Sequence, residues 1–265
     1  MQDLVFEPTS MTVSHGYVAA GGQASQLDIR DAATGAVVFK GRCGGSVNNA
    51  LHIAKDASHT LKLHVCNNDD TIKIFSLSPS ATCTAVVRCP VAINYCAVSP
   101  DGHQLAAVGD NRHCYVYSAT PSGYRNSTVL SEATDAGMCC AWSPGGGLLA
   151  TASQDGLACV WDHRSGCVVA KYHTPLACRN IKFIPAPLDL MAFTEHRGRC
   201  HLVDTRMWSR HQILHVGGSP ELEPDISGLA FSPEGRTLYV GTEDGVVAYN
   251  IDSIARRGFP CAEVC

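Results

Sequence analysis

The chain has 265 residues and a mass of 28.2 kDa, with 45% hydrophobic residues, 17% charged residues and a formal charge of −4 at pH 7. This balance excludes a disordered chain, which requires low hydrophobicity and high net charge. A pI near 6.3 offers no bulk attraction to phosphate backbones or anionic lipid.

In chain order, short apolar stretches alternate with polar turns. Residues 17–22 and 26–30 open the pattern, and 50–53, 61–65 and 71–75 repeat it. Residues 95–98 and 105–108 flank Ser99-Pro100-Asp101-Gly102. Residues 139–142 and 148–151 flank Ser143-Pro144, and 157–161 add a third stretch. Residues 180–183 and 190–193 flank Ile184-Pro185, while 228–231 and 238–240 flank Ser232-Pro233. The Ser-Pro pairs are 44 and 89 residues apart, and Ile184-Pro185 fills the slot midway along the longer interval. Short runs bounded by turns read as antiparallel strands, about four to each unit.

Self-similarity at this period signals a repeat architecture, in which each sheet buries its faces against its neighbours. The expected fold is all-β, a β-propeller of about six four-stranded blades forming one domain. The units fall at approximately 9–43, 47–90, 92–131, 136–173, 178–217 and 226–252. The sixth unit offers three clear strands by Asn250, after which residues 254–258 look irregular, and a ring of six would close if Leu4-Val5-Phe6 supplied its outer strand. If the chain is a fragment, a seventh blade lies outside it.

There are 14 cysteines but no CxxC, and the one adjacent pair is Cys139-Cys140. Zinc sites need closely spaced paired ligands. The cysteines therefore read as small buried hydrophobes in a reducing compartment. Seven of them, Cys66, Cys96, Cys114, Cys139, Cys140, Cys159 and Cys200, fall in expected strands. Cys261 and Cys265 do not form a prenylation box. The first eight residues have neither a basic n-region nor an apolar h-region, and no run of about 18 uncharged apolar residues occurs. The expected location is cytoplasmic or nuclear, with no membrane association.

Residues 153–162, Ser-Gln-Asp-Gly-Leu-Ala-Cys-Val-Trp-Asp, resemble the late part of a WD repeat, ending in the Trp161-Asp162 pair. Ser99-Pro100-Asp101-Gly102 and Ser232-Pro233-Glu234-Gly235 resemble the turn joining its first two strands. One unit alone ends in Trp-Asp, and the Gly-His that commonly opens the repeat is absent. The family's side-chain network, which uses that His, is therefore expected to be incomplete. Residues 189–206, continued by 225–229 and 241–245, resemble a domain-of-unknown-function segment of fungal WD-repeat proteins. That resemblance implies a link to substrate recruitment by a GID-type ubiquitin ligase.

No phosphate-cradling GxxxxGK[ST], HExxH or GxSxG motif occurs, so no catalytic residue, cofactor or metal ligand is assigned. His196 and His201 are placed in a turn and a strand, pointing to different surroundings. Aligned on the Ser-Pro turn, the residue beginning each innermost strand reads Asn49, Asn94, Met138, Arg179 and Ser227. The turns between second and third strands add Asp69-Asp70, Asn111-Arg112, Gln154-Asp155, Glu195-His196-Arg197 and Glu243-Asp244. Together they suggest a mixed-charge rim binding a protein or peptide partner. Its candidates are Asn49, Asn94, Arg179, Glu195, His196, Arg197 and Glu243. Arg179 and Arg197 would face an acidic group, and Glu195 or Glu243 an amine, including a free N-terminus. Asp155 and Asp244 each precede Gly and read as turn formers tied to local backbone. Residues 217–225 form a polar insertion in which Leu222 is a candidate docking point.

The expected function is a non-enzymatic interaction scaffold within a larger complex, such as a ubiquitin-ligase substrate receptor. The alternatives are a propeller hydrolase with a channel-bound metal and a nucleic-acid-associated propeller using Arg197, Arg199, Arg206 and Arg210.

Overall fold

A computed structural model describes residues 4–78, 80–121, 123–217 and 223–251. The chain forms two compact units that divide between Ser131 and Glu132.

The first unit holds three antiparallel sheets, each a meander of four consecutive strands. The first sheet contains β1 (Pro8–Ser14), β2 (Tyr17–Gly22), β3 (Gln26–Asp31) and β4 (Val37–Arg42). The second contains β5 (Asn48–Lys55), β6 (Leu61–Asn67), β7 (Thr71–Ser76) and β8 (Thr82–Arg88). The third contains β9 (Ile93–Val98), β10 (Gln104–Gly109), β11 (Asn111–Thr120) and β12 (Gly123–Leu130). The neighbouring first strands β1, β5 and β9 lie side by side.

The second unit repeats the design. Its sheets are β13 (Gly137–Trp142), β14 (Leu148–Ser153), β15 (Leu157–Asp162) and β16 (Cys167–His173), then β17 (Cys178–Phe183), β18 (Leu190–Glu195), β19 (Arg199–Asp204) and β20 (His211–His215). The last sheet, β21 (Ile226–Phe231), β22 (Thr237–Thr242) and β23 (Gly245–Asn250), has three strands among the described residues. Here β13, β17 and β21 are neighbours. Consecutive meanders with adjacent first strands are the blades of the β-propeller class.

The core lies between neighbouring sheets. In the first unit, Leu27 and Ile29 pack with Leu51, Leu63, Val65 and Phe75, and Phe39 meets Phe75 edge-on at 5.5 Å. In the second, Leu190, Ala192 and Cys200 pack with Leu229, Leu238 and Val240. Burying a large aliphatic side chain contributes about 1.5–3 kcal/mol. A single blade cannot bury both faces, so its stability depends on its neighbours. Strand β18 is buried at every position, as a central strand covered on both faces should be. Outer strand β16 instead alternates between exposed and half-buried residues.

The recurring serine has a physical role. Ser99 Oγ accepts from Gln104 N–H at 2.9 Å, Ser143 Oγ from Leu148 N–H at 3.0 Å and Ser232 Oγ from Thr237 N–H at 3.1 Å. Each hydroxyl closes the turn between the first two strands of its blade. Gly102 in that turn has φ +72°, and a Cβ there would lie 2.3 Å from the carbonyl carbon of Asp56. The close approach of two turns requires glycine.

All twelve described cysteines are free thiols, and the seven expected in strands are buried. Burial pushes the Cys159 and Cys200 thiols up to about 12, which keeps them as protonated packing groups. Cys261, Cys265, residues 254–258 and Leu222 lie outside the described residues.

The condition set for closure by an N-terminal strand is not met. Leu4, Val5 and Phe6 carry no strand. The Phe6 ring instead covers Gly22, where an added Cβ would fall 2.5 Å from Phe6 Cδ2. Its apolar character serves as a plug at the end of β2 rather than as strand pairing. No helix among the described residues is long and apolar enough to cross a membrane.

Candidate functional site

Every sheet carries the same irregularity at the start of its first strand. The pairing register skips one residue in each, namely Thr9, Asn49, Asn94, Met138, Arg179 and Ser227. These are β-bulges, which leave one residue unpaired and re-aim its side chain. The sequence column Asn49, Asn94, Met138, Arg179 and Ser227 therefore coincides with the bulged residues, and Thr9 completes it.

Within the first unit, Asn49 Nδ2 donates to Asn68 Oδ1 at 2.9 Å and to the Ile93 carbonyl at 3.0 Å. Asn94 Nδ2 donates to Asp110 Oδ1 at 3.0 Å. Both amides are thus held by neighbouring turns. Within the second unit, Arg179 is half-buried, and its Nε has no hydrogen-bond partner among the described residues.

Three other candidates meet around Asp225. Arg197 Nε donates to Asp225 Oδ1 at 2.6 Å, and Asp225 N–H donates to Glu243 Oε1 at 3.3 Å. The backbone carbonyl of His196 accepts from Ile226 N–H at 2.9 Å. Asp225, the last residue of the insertion, ties the β18–β19 turn to the entry of β21.

Glu195 does not join them. It is the last residue of β18 rather than a turn residue, and it is only 1% exposed. Its Oε1 is 2.9 Å from His201 Nε2, and His201 Nδ1 is 2.7 Å from His211 Nε2. The His201 ring stacks on Phe193 at 4.4 Å. Tyr172 meets His211 edge-on at 5.4 Å and donates its hydroxyl to the Trp208 carbonyl at 2.7 Å. Burial, reinforced by His201, pushes His211 down to about 4. A cleft of about 820 Å³ opens over this chain between β16 and the fifth sheet, lined by Tyr172, Glu195, Arg199, His201, Trp208 and His211 among others. Arg199 Nη1 lies 3.7 Å from Glu195 Oε1, and its Nη2 lies 3.6 Å from Glu223 Oε1.

His196 and His201 have different surroundings, and the partners of His201 are Glu195 and His211. Among the described residues no group of three or more His, Cys, Asp or Glu side chains is arranged to hold a metal ion. The Glu195–His201–His211 chain runs in a line rather than converging on a point.

Residues 81–118, 127–162 and 215–248 match the family described as WD domain, G-beta repeat. The chain carries WD40 repeats. Residues 177–215 match a second family, described as Uncharacterised protein domain (DUF2415). An uncharacterized protein of Schizosaccharomyces pombe, C4G3.03, is 29% identical over 280 residues, covering 98% of this chain and 78% of that protein. WD40 propellers typically bind protein partners and serve as interaction scaffolds.

In the WD40 repeat ending at Asp162, Trp161 Nε1 donates to Thr151 Oγ1 at 3.2 Å. Asp155 accepts from Thr134, so a threonine takes up the aspartate in a repeat with no opening Gly-His. The DUF2415 segment contains Arg179, Glu195, His196, Arg197, His201 and His211, and corresponds to the fifth sheet.

Sequence reading missed the His201–His211 pairing and the burial of Glu195. A usable signal was the strand register. At the end of the second strand the blades place Gly22, Asn67, Gly109, Ser153, Glu195 and Thr242, so a long acidic residue stands where small or polar uncharged ones occur elsewhere. In the middle of the third strand they place Asp28, Lys73, Tyr115, Cys159, His201 and Val247. Most of these side chains carry polar groups. Asp28 pairs with Arg30 and Lys73 with Asp69, each within its own blade, as His201 does with Glu195.

Proposed function

We propose that this protein is a non-enzymatic scaffold that captures a protein or peptide partner, with the second unit's bulge-and-turn surface at Arg179, His196, Arg197 and Glu243 as a contact site. The observation that carries this reading is Arg179. A bulge aims its side chain away from the ladder, and its Nε lacks an internal acceptor among the described residues. An acidic group on a partner would supply one. Asn49 and Asn94 occupy the equivalent bulges of the first unit and would offer amide contacts there. Burial of Glu195 beside His201 removes it from this surface. Glu243 remains the carboxylate that would face an amine.

The finer reading is a substrate receptor of a ubiquitin ligase, working inside a larger complex in the cytoplasm or nucleus. Its support is the DUF2415 segment, which coincides with the blade holding most of the candidate residues. The test is Arg179→Ala combined with Arg197→Ala, followed by affinity co-purification. Loss of a partner from the still-folded variant is the expected result, and an unchanged partner set overturns the assignment.

A nucleic-acid role finds less support. Arg197 pairs with Asp225, Arg199 with Glu195 and Glu223, and Arg206 with Asp204 at 2.7 Å, so three of the four clustered arginines already face carboxylates. A steep salt dependence of RNA or DNA binding would favour that role. A stoichiometric metal ion in the purified protein would favour a hydrolase.

A further inference from the structure

Residues 169–175 line the cleft between β16 and the fifth sheet without a break. Alternate side chains of a strand point to opposite faces, so an unbroken run of this kind presents the strand's edge. Strand β16 is the last of its sheet and pairs only with β15 among the described residues. Thr174 N–H donates to the Gly156 carbonyl at 2.9 Å, which fixes the phase of that ladder. Tyr172 and Ala170 are then the residues bonded inward, and the N–H and C=O groups of Lys171 and His173 face the open edge.

The opposite wall is a face of the fifth sheet. Arg199 pairs with His215, and two rungs along the same ladder His201 pairs with Ile213, so Arg199 and Ile213 share that face. Ile213 is 46% exposed. Of the charged side chains lining the cleft, Lys171 and Arg199 are cations and Glu195 is the carboxylate. Glu195 is buried against His201 and closed to an occupant, whereas Lys171 and Arg199 are 40% and 32% exposed. Lys171 already has a partner in Glu132. The carboxylates near Arg199 stand at 3.6 and 3.7 Å, beyond hydrogen-bond length, and its guanidinium makes no hydrogen bond among the described residues.

We propose that β16 accepts an extended segment of a protein partner as an added strand, with an Asp or Glu side chain against Arg199 and an apolar one, two residues away, against Ile213. Main-chain bonds to Lys171 and His173 hold the segment, and the two side chains select it. A carboxylate gives the Arg199 guanidinium a two-point acceptor, and a basic segment meets two exposed cations instead. The two-residue spacing matches the two rungs between Arg199 and Ile213. The proposal rests on the scaffold reading only for the class of occupant, and this edge is separate from the Arg179 bulge.

The probe is a fluorescein-labelled peptide, Thr-Val-Thr-Asp-Thr-Val-Thr, whose symmetry suits either strand direction, and the control carries Lys in place of Asp. Fluorescence anisotropy should show saturable binding of the acidic peptide and weaker binding of the control. Arg199→Gln should close most of that gap, a factor of about five for an ion pair in contact with solvent. Amide hydrogen exchange at Lys171 and His173 should slow on binding, because both N–H groups gain acceptors. Two further peptides are N-methylated on the threonines or on the Val, Asp and Val residues, which blocks one edge of the added strand or the other. One of them should lose binding and the other keep it. No saturable binding, equal binding of the Lys control, unchanged exchange at both amides, or equal effects of the two N-methylated peptides would each overturn the proposal. A dimer of the protein that the peptide dissolves would overturn it too, by assigning the edge to a second copy. Failure here alongside a partner set that depends on Arg179 and Arg197 rejects the strand site alone. Absence of any co-purifying partner rejects the scaffold reading instead.

Discussion

Asp155 Oδ2 accepts from both the backbone N–H and the Oγ1 of Thr134, at 2.6 and 2.8 Å, across 21 positions of sequence. The other oxygen, Oδ1, accepts from Leu157 N–H at 3.0 Å. One carboxylate thus fastens the β14–β15 turn to the segment that enters β13. Burial pushes the Asp155 carboxyl up, but bonds from Thr134, Leu157 and Ser153 together hold it below the usual range. Hydrogen bonds to a charged group contribute about 1.5–3 kcal/mol. Asp155→Ala should destabilise the second unit by roughly that amount, and Thr134→Val by less, because the backbone donor survives. Urea denaturation of both variants checks the order, and a larger loss for Thr134→Val contradicts it.

Acid should destabilise the fold through buried imidazoles. His64 on β6 is fully buried, and burial pushes it down to about 4 against the opposing pull of His52 and Asp56. Because the folded value is depressed, the unfolded chain binds the proton first. The stabilisation is complete above the unfolded pKa of about 6.5 and is lost as pH falls through about 4. The difference is on the order of 3 kcal/mol at pH 4. His211 shifts in the same direction. Urea midpoints measured from pH 7 to pH 4 should fall for the wild type, and His64→Leu should flatten the slope.

Repeat architecture was legible because its turns use side-chain chemistry. Ser99, Ser143 and Ser232 must each supply an Oγ acceptor, so the same residue recurs at the same place. The bulge column was legible for a related reason, since aligning those turns also aligns the residue that the pairing register skips. Glu195, His201 and His211 were not. They are brought together by pairing of β18, β19 and β20, and β18 is buried along its whole length, so no alternation marks where it ends. A one-residue error at that end turned a buried carboxylate into an expected turn residue. Phe6 was misread because apolar composition does not separate a strand from a single ring that plugs a glycine. Division into two compact units left no trace either, because the period runs unchanged past Ser131.

Turn serines offer a further test. Ser143→Ala removes the acceptor for Leu148 N–H, and Ser232→Ala removes the acceptors for Arg236 and Thr237. Each neutral bond contributes about 1 kcal/mol. Ser232→Ala should therefore cost more than Ser143→Ala, by about one bond's worth of stability. Chemical denaturation with a probe in each affected blade measures the difference. Equal stability of the two variants and wild type would show that solvent replaces the hydroxyl at no cost.

The Arg197–Asp225 ion pair is short at 2.6 Å, yet its side chains are 54% and 43% exposed. Water screens such a pair, and holding two side chains in one geometry costs entropy, so its coupling should stay below about 1 kcal/mol. A double-mutant cycle of Arg197→Ala and Asp225→Ala measures that coupling without counting other effects of either change. It should shrink further in high salt. The backbone link of Asp225 N–H to Glu243 is independent of the Asp225 side chain, so the entry to β21 should persist in the variants. Arg197→Ala should thus fold almost as well as wild type, with any loss of partner binding attributable to the missing guanidinium. A coupling of several kcal/mol would instead make Arg197 a structural strut for the fifth and sixth sheets.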